Sequence, residues 1–524
     1  MRTVTFTVLV VPVLLAAQDS GTVEGRVTDT VTGYGLPGVA VEIRNRQKDF
    51  YQSTTDLRGA FRITGVNSGT YGWSLNKAGY QDSRKPTDGA ITVRAAGTFV
   101  FNARMTPFST LHGRVLDSEG KPAAKAHVLL TRGRVREAIT DADGLFDFDE
   151  LESGLYTLLA KPESKEESAN DGPRVRAVNT FYASAIERSE AEWIHVRAGF
   201  DSGEHEIRLR TSPVYRLRGV VLDETGRPAP HATVKLLKPG GQGTQSYGSS
   251  EYTVIGPEVS REEDETVSTA DGDFEFSSVR PGDWRIQAEL DPALDPIERD
   301  VEPAGGISVS LSRFDIDALQ IRLSAPFDLK YSVDWGQAEV PEYRRNSSGV
   351  LLRAVNGQPT GNPTGESGRF KDFSPGRYRV VPWSSGIKGS HVDSVFLGDL
   401  DVLGRDVNLA AGSPPLRIVY KPGAGSMRGI VERCAGATVV VLERPTQSPK
   451  AWSYIRTLNC GPNDTFEIGS IDPGDYYVWA FDRADTRELI IPAFVSTILS
   501  TAQSVHVGQG ATASVQLRVN LWPE

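Results

Sequence analysis

A chain of 524 residues is long enough for three or four domains of about 150 residues, or about five small β-sandwiches. Its 57 Lys and Arg against 67 Asp and Glu give a net charge of −10 without a basic run, which excludes a protein that grips nucleic acid through its phosphates. Two cysteines exclude a disulfide-dense scaffold and any four-cysteine metal site, while 52 Gly and 31 Pro, about one residue in six, point to many turns and an all-β chain.

At the amino terminus Met1 and Arg2 precede an apolar run from Val4 to Leu15 and then Ala16-Ala17-Gln18-Asp19. This is the pattern of a secretory signal peptide over residues 1–17. Leu15 stands where a smaller residue is usual before a cleavage point, so an uncleaved anchor is the alternative. The run is shorter than the roughly 20 apolar residues that span a membrane, and no later stretch reaches that length. The expectation is a secreted, periplasmic or outer-envelope protein with no membrane span in the mature chain.

From there on the chain repeats itself. Asp56-Leu-Arg-Gly59-Ala-Phe61-Arg-Ile63, Asp143-Gly144-Leu-Phe146-Asp-Phe148, Asp271-Gly272-Asp-Phe274-Glu-Phe276 and Asn463-Asp464-Thr-Phe466-Glu-Ile468 align on one turn. Ten residues after each phenylalanine stands an aromatic in Gly-x-aromatic: Tyr71, Tyr156, Trp284 and Tyr476. A shortened copy has Phe370 and Tyr378, eight apart. A front half also recurs, as Gly25-Arg-Val27-Thr-Asp29, Gly113-Arg-Val115-Leu-Asp117 and Gly219-Val-Val221-Leu-Asp223, followed by Val39-Ala-Val41, Ala126-His-Val128 and Ala232-Thr-Val234. Alternation of apolar and polar residues with Gly, Pro and Asp at the breaks predicts short antiparallel strands, enough per unit for a sandwich. The inward set is then Val39, Val41, Phe61, Ile63, Tyr71 and Trp73 in the first unit, and Val128, Leu130, Phe146, Phe148, Tyr156 and Leu158 in the second. Trp284 and Trp479 are assigned to cores in the same way. Expected domains are sandwiches over 21–108, 109–212, 213–323, 324–412 and 413–524, the fourth lacking a clear Gly-x-Val-x-Asp front. Two stretches exceed the repeat, Lys161 to Trp193 and Pro239 to Thr266, and read as long loops, either functional or disordered.

The series Gly-x-Val-x-Asp, Gly-x-Pro, Ala-x-Val, Asp-x-Gly-x-Phe and Pro-Gly-x-Tyr resembles the carboxypeptidase regulatory-like domain. That resemblance implies a prealbumin-like sandwich of the Ig-like, carbohydrate-binding-like kind. The end of the chain, from Ile471-Asp-Pro473-Gly474-Asp-Tyr476 to Val519, resembles the terminal module of large exported bacterial proteins built from such domains in tandem, common in acidobacteria.

No catalytic constellation is found. None of the seven histidines has Glu three residues on, as a metallocarboxypeptidase zinc site requires, and there is no His-Glu-x-x-His, nucleophile elbow or phosphate loop. The chain is therefore expected to be no enzyme, to bind no metal and to need no cofactor. Asp141, Asp143, Gly144 and Glu150 mimic a calcium loop, but Ile139 stands at its first ligand position, so a tight turn is the preferred reading. Cys434 and Cys460 flank two strands whose connecting loop contains the midpoint of the pair; an antiparallel hairpin sets them opposite each other, and export makes a disulfide the expected state, with two free buried thiols as the alternative. The first strands of units one to three offer no core lysine, so intramolecular isopeptide crosslinks are not expected. Aromatics outside the core ladder are candidates for stacking on a sugar ring: Tyr247, Tyr252, Trp383, Trp452 and Tyr454. The expected function is non-catalytic binding of a polysaccharide or another cell-envelope component, with no nucleic acid partner. The alternatives are a passive spacer or protein-interaction scaffold, and an accessory subunit of a hydrolase or outer-membrane receptor.

Overall fold

The computed structural model describes residues 20–523 except 47, 82–90, 133, 164–173, 240–243, 250–251, 258–260, 291–301, 337, 341, 343–348, 356–367, 383–386, 388, 433, 435–436, 445–452 and 490. At 189, 244–249, 252–257, 261–263, 382, 453–454, 462 and 492 only the backbone is described. The signal-like segment lies outside the described residues. Within them the fold is almost entirely β, with one α-helix, Pro492–Ile498, and none long and apolar enough to cross a membrane. Two compact units are distinguished: residues 1–113 with 147–155 and 195–205, and residues 114–146, 156–194 and 206–524.

In the first unit, strand Ser20–Asp29 pairs antiparallel with Ala60–Asn67 and parallel with Thr98–Val100 and Ala103–Met105. A second sheet runs in the order Phe50–Thr54, Ala40–Arg44, Gly69–Asn76, Ile91–Val93. Alternate residues of both sheets meet in one core containing Val23, Val27, Val39, Val41, Phe61, Ile63, Tyr71 and Leu75. Trp73, expected inside, is half-buried at the rim of this core, its ring 4.6 Å from that of Phe101.

The repeat seen in the sequence has a physical cause. Asp56 Oδ1 accepts the N–H groups of Arg58 and Ala60 at 2.8 and 2.9 Å, and Asp141 Oδ1 those of Asp143 and Leu145 at 2.9 and 2.8 Å. These bonds satisfy the turn backbone locally. They also hold the Asp56 carboxyl below its usual pKa. The turn glycine has φ +77° at Gly59 and +79° at Gly272, and a Cβ there would stand 2.3 Å from Val27 O and 2.6 Å from Val221 O, so no other residue fits. At the other end of the repeat the aromatic ties back to the carbonyl four residues upstream. Tyr71 Oη donates to Asn67 O at 2.9 Å, Tyr378 Oη to Ser374 O at 2.5 Å, Tyr476 Oη to Asp472 O at 2.6 Å and Trp284 Nε1 to Arg280 O at 2.9 Å. The aromatic is thus a core residue whose polar atom is satisfied at short range.

In the second repeat, Arg134–Ile139, His127–Arg132, Gly154–Lys161 and Thr180–Phe181 follow one another in a sheet, and the expected inward residues Val128, Leu130, Phe146, Phe148, Tyr156 and Leu158 are all buried. The next sandwich pairs Thr211–Leu222 with Asp273–Val279 and Ile316–Arg322, over a core of Leu217, Val221, Phe274, Phe276, Trp284 and Ile286. Arg174–Ala177, inside the first expected loop, is a strand that pairs with Thr211–Leu222. The region that lacks a clear front motif still builds a core around Tyr331, Phe370, Tyr378 and Val380. This core extends past the boundary expected at 413. Leu416–Pro422 pairs with Phe327–Asp334 and Ser390–Leu397 and contributes buried Leu416, Ile418 and Tyr420, because its alternation fits the fourth core.

The last sandwich faces Gly425–Glu432, Thr465–Ile471 and Thr512–Asn520 against Thr438–Glu443, Ser453–Asn459, Gly474–Phe481 and Gln503–Val507. Along Thr438–Glu443 and Gly474–Phe481 its second sheet is buried on both sides. Trp479 and Phe481, on the face away from the Val439–Val441–Val478 core, are covered by Phe494, Ile498 and Trp522.

Candidate functional site

The second expected loop does not stay a loop. Thr244–Ser249 and Tyr252–Pro257 form a hairpin whose β-branched Thr253, Val254 and Ile255 add to the edge of the last sandwich. The register is Thr253 opposite Ile455, Val254 opposite Tyr454, and Ile255 opposite Ser453. Within the hairpin Tyr247 stands opposite Val254. Opposed residues of an antiparallel pair share a sheet face, as do residues two apart on one strand. Tyr247, Tyr252 and Tyr454 are therefore carried on one face, although Tyr247 and Tyr454 lie some two hundred positions apart in the chain. Trp383 and Trp452 lie outside the described residues.

The same face continues to Arg456, which stands opposite the core residue Val441 and whose Nη1 donates to Gly469 O and Nη2 to Ser470 O, both at 2.8 Å. Ser470 Oγ donates in turn to Ile387 O at 3.2 Å, four residues after Trp383 in the chain. Strand pairing and these bonds bring segments of three different repeats to one edge of the last sandwich.

A second feature had no signal in the sequence. The outer face of the last sandwich holds a cleft of about 920 Å³. Gly425–Glu432 is its central strand, and two rows cross it: Ser514, Arg428 and Glu467, then Gln516, Ile430 and Thr465. Gln503 and Asn459 add to the lining. Ile430 is 53% exposed. Among the described residues the side chains of Arg428, Glu467, Gln503, Ser514 and Gln516 make no hydrogen bond or ion pair. Gly429 permits this close weave, since a Cβ there would sit 2.3 Å from Val515 O and 2.5 Å from the Phe466 ring. Alternation marks these residues only as outward-facing; nothing local tells which outward faces are concave.

Cys434 and Cys460 are joined, their Cα atoms 5.9 Å apart, at the end of the pair Thr438–Glu443 and Ser453–Asn459. A buried ion cluster lies elsewhere in the second unit. The Arg132 side chain, 6% exposed, contacts Asp485 and approaches Glu488 Oε1 to 3.9 Å. Arg487 Nε and Nη2 donate to the two Asp485 oxygens at 3.0 Å each, and Trp522 Nε1 donates to Glu488 Oε2 at 2.8 Å. Burial alone would raise the Asp485 carboxyl; the hydrogen bond from Arg487 and the charges of Arg132 and Arg487 outweigh it and hold the pKa below the usual value.

These features define the chain as an all-β protein of tandem Ig-like sandwiches. Residues 22–106 and 110–180 match the model of the carboxypeptidase regulatory-like domain, so the chain carries two tandem copies of that domain. No curated protein matches the chain at a significant level. Among solved structures it is similar to the Bacillus anthracis TIE protein, with 14% identity, 58% of this chain and 51% of that one covered, and a TM-score of 0.19. The chain thus spans about half the length of that protein. It is also similar to BcpA, the major pilin subunit of Bacillus cereus, at 12% identity over 58% of this chain and 100% of that one, with a TM-score of 0.16. A putative carbohydrate binding protein from Bacteroides uniformis is 10% identical over 56% of this chain and 99% of that one, with a TM-score of 0.15.

Proposed function

We propose that the protein is an exported, non-catalytic array of five sandwich modules that binds a polysaccharide or another cell-envelope component through the face carrying Tyr247, Tyr252 and Tyr454. The observation that carries this reading is the register of the added hairpin, which collects aromatic positions from distant parts of the chain onto one sheet face. Aromatic positions gathered from three adjacent strands onto one face suit the repeating C–H faces of a glycan, each stacked ring contributing on the order of 1 kcal/mol. The signal pattern at residues 1–17, the joined Cys434 and Cys460, and the absence of any catalytic motif support export and binding rather than turnover.

Affinity electrophoresis through gels containing plant and bacterial polysaccharides tests it, using the exported chain, residues 18–524, and its Tyr247→Ala, Tyr454→Ala and Trp452→Ala variants. Retardation by one glycan, lost in a tyrosine variant that keeps its far-ultraviolet dichroism, is expected. Normal mobility in every gel would shift the reading to a spacer or scaffold. That second reading has its own support in the buried Arg132–Asp485–Glu488 cluster, which ties the second repeat to the last sandwich.

A further inference from the structure

The cleft over Gly425–Glu432 contains none of Tyr247, Tyr252, Tyr454 and Arg456, and its chemistry is different. We propose that it is a separate binding site, and that its ligand is an uncharged saccharide ring. The central row sets one exposed aliphatic side chain, Ile430, between Gln516 and Thr465, an apolar floor flanked on both sides by hydrogen-bonding groups. A pyranose has the matching shape, with an apolar C–H face bordered by hydroxyls that each donate and accept. Arg428 only donates, Glu467 as a carboxylate only accepts, and the carboxamides of Gln503 and Gln516 do both. A ligand made of hydroxyls uses all of them, and among the described residues none of these four side chains is committed to a partner.

Charge decides against the other ligand classes. Arg428 and Glu467 stand directly opposite each other on adjacent strands. A uronate, phosphate or peptide carboxylate drawn to the guanidinium would meet the Glu467 carboxylate beside it, and a cationic ligand would meet Arg428. A neutral polyol engages both without an uncompensated charge.

The test is isothermal titration calorimetry on the exported chain, residues 18–524, with cellohexaose, xylohexaose and mannohexaose as neutral probes and tri-galacturonic acid as the anionic one. At least one neutral oligosaccharide should bind. Its affinity should fall at least about tenfold in Glu467→Ala and in Gln516→Ala, each of which removes a charged or bidentate hydrogen-bonding group. Tyr454→Ala should leave that affinity within about twofold of the parent. Both cleft residues are exposed strand positions, and an unchanged thermal midpoint verifies that each variant folds. Three results would overturn the proposal: no neutral probe binds, tri-galacturonic acid binds more tightly than any of them, or both cleft variants bind as the parent does. Loss confined to Tyr454→Ala would overturn it too, while leaving the tyrosine face as the sugar site. Gel retardation that persists in Tyr247→Ala and Tyr454→Ala but is lost in Glu467→Ala would overturn the tyrosine-face reading alone, so the two failures are told apart by which variant loses binding.

Discussion

Replacing Arg132 by Met removes a charge from the buried cluster while keeping most of the apolar stem. Deleting one partner of a buried ion pair ordinarily costs about 3–5 kcal/mol, because the other charge is left uncompensated. Here the remaining groups retain partners: Asp485 keeps two bonds from Arg487 at 3.0 Å, and Glu488 keeps Trp522 Nε1 at 2.8 Å. The expected loss is therefore smaller, about 2–3 kcal/mol. Hydrogen exchange read by mass spectrometry on peptides covering Gly474–Phe481 should show local opening about 30- to 160-fold more frequent at pH 7. The pH dependence provides the sharper check. Asp485 titrates below its usual value in the folded chain, so its contribution is present above the unfolded value of about 3.9 and disappears as pH falls through the folded one. The gap between Arg132→Met and the parent should accordingly narrow in urea unfolding, followed by tryptophan fluorescence, at about pH 3. A deficit of the same size at neutral and acidic pH would refute the electrostatic origin. No deficit at either would refute the coupling of the second repeat to the last sandwich.

Three further outcomes follow from the geometry. Tyr476→Phe deletes the donor to Asp472 O while keeping the ring, and should lower the stability of the last sandwich by about 1 kcal/mol in urea unfolding. Gly272→Ala places a Cβ 2.6 Å from Val221 O at a φ of +79°, so a loss of at least about 1–3 kcal/mol in the third sandwich is expected, and an unchanged midpoint would show that the turn relaxes. Intact mass spectrometry without reductant should find no alkylatable thiol. Reduction of Cys434–Cys460, which closes a separation of 26 residues, should lower stability by about 3.5 kcal/mol on the chain-entropy model.

What the amino-acid sequence determined by itself is whatever rests on contacts a few residues long. The Asp56 turn bonds span two and four residues, and the Tyr71, Trp284, Tyr378 and Tyr476 tethers span four, so each leaves a spaced signature that repeats along the chain. Alternation likewise marked the buried side of the strands, which is why the cores around Phe61, Phe148 and Phe276 could be anticipated. Pairing between distant edges has no such signature, because a strand's backbone donors and acceptors are the same whatever its partner. Only the tertiary structure assigned Leu416–Pro422 to the fourth core, and only it laid Tyr252–Pro257 beside Ser453–Asn459. The cleft is of the same kind: Arg428, Glu467 and Gln516 come from three strands, and their common face exists only once those strands are side by side.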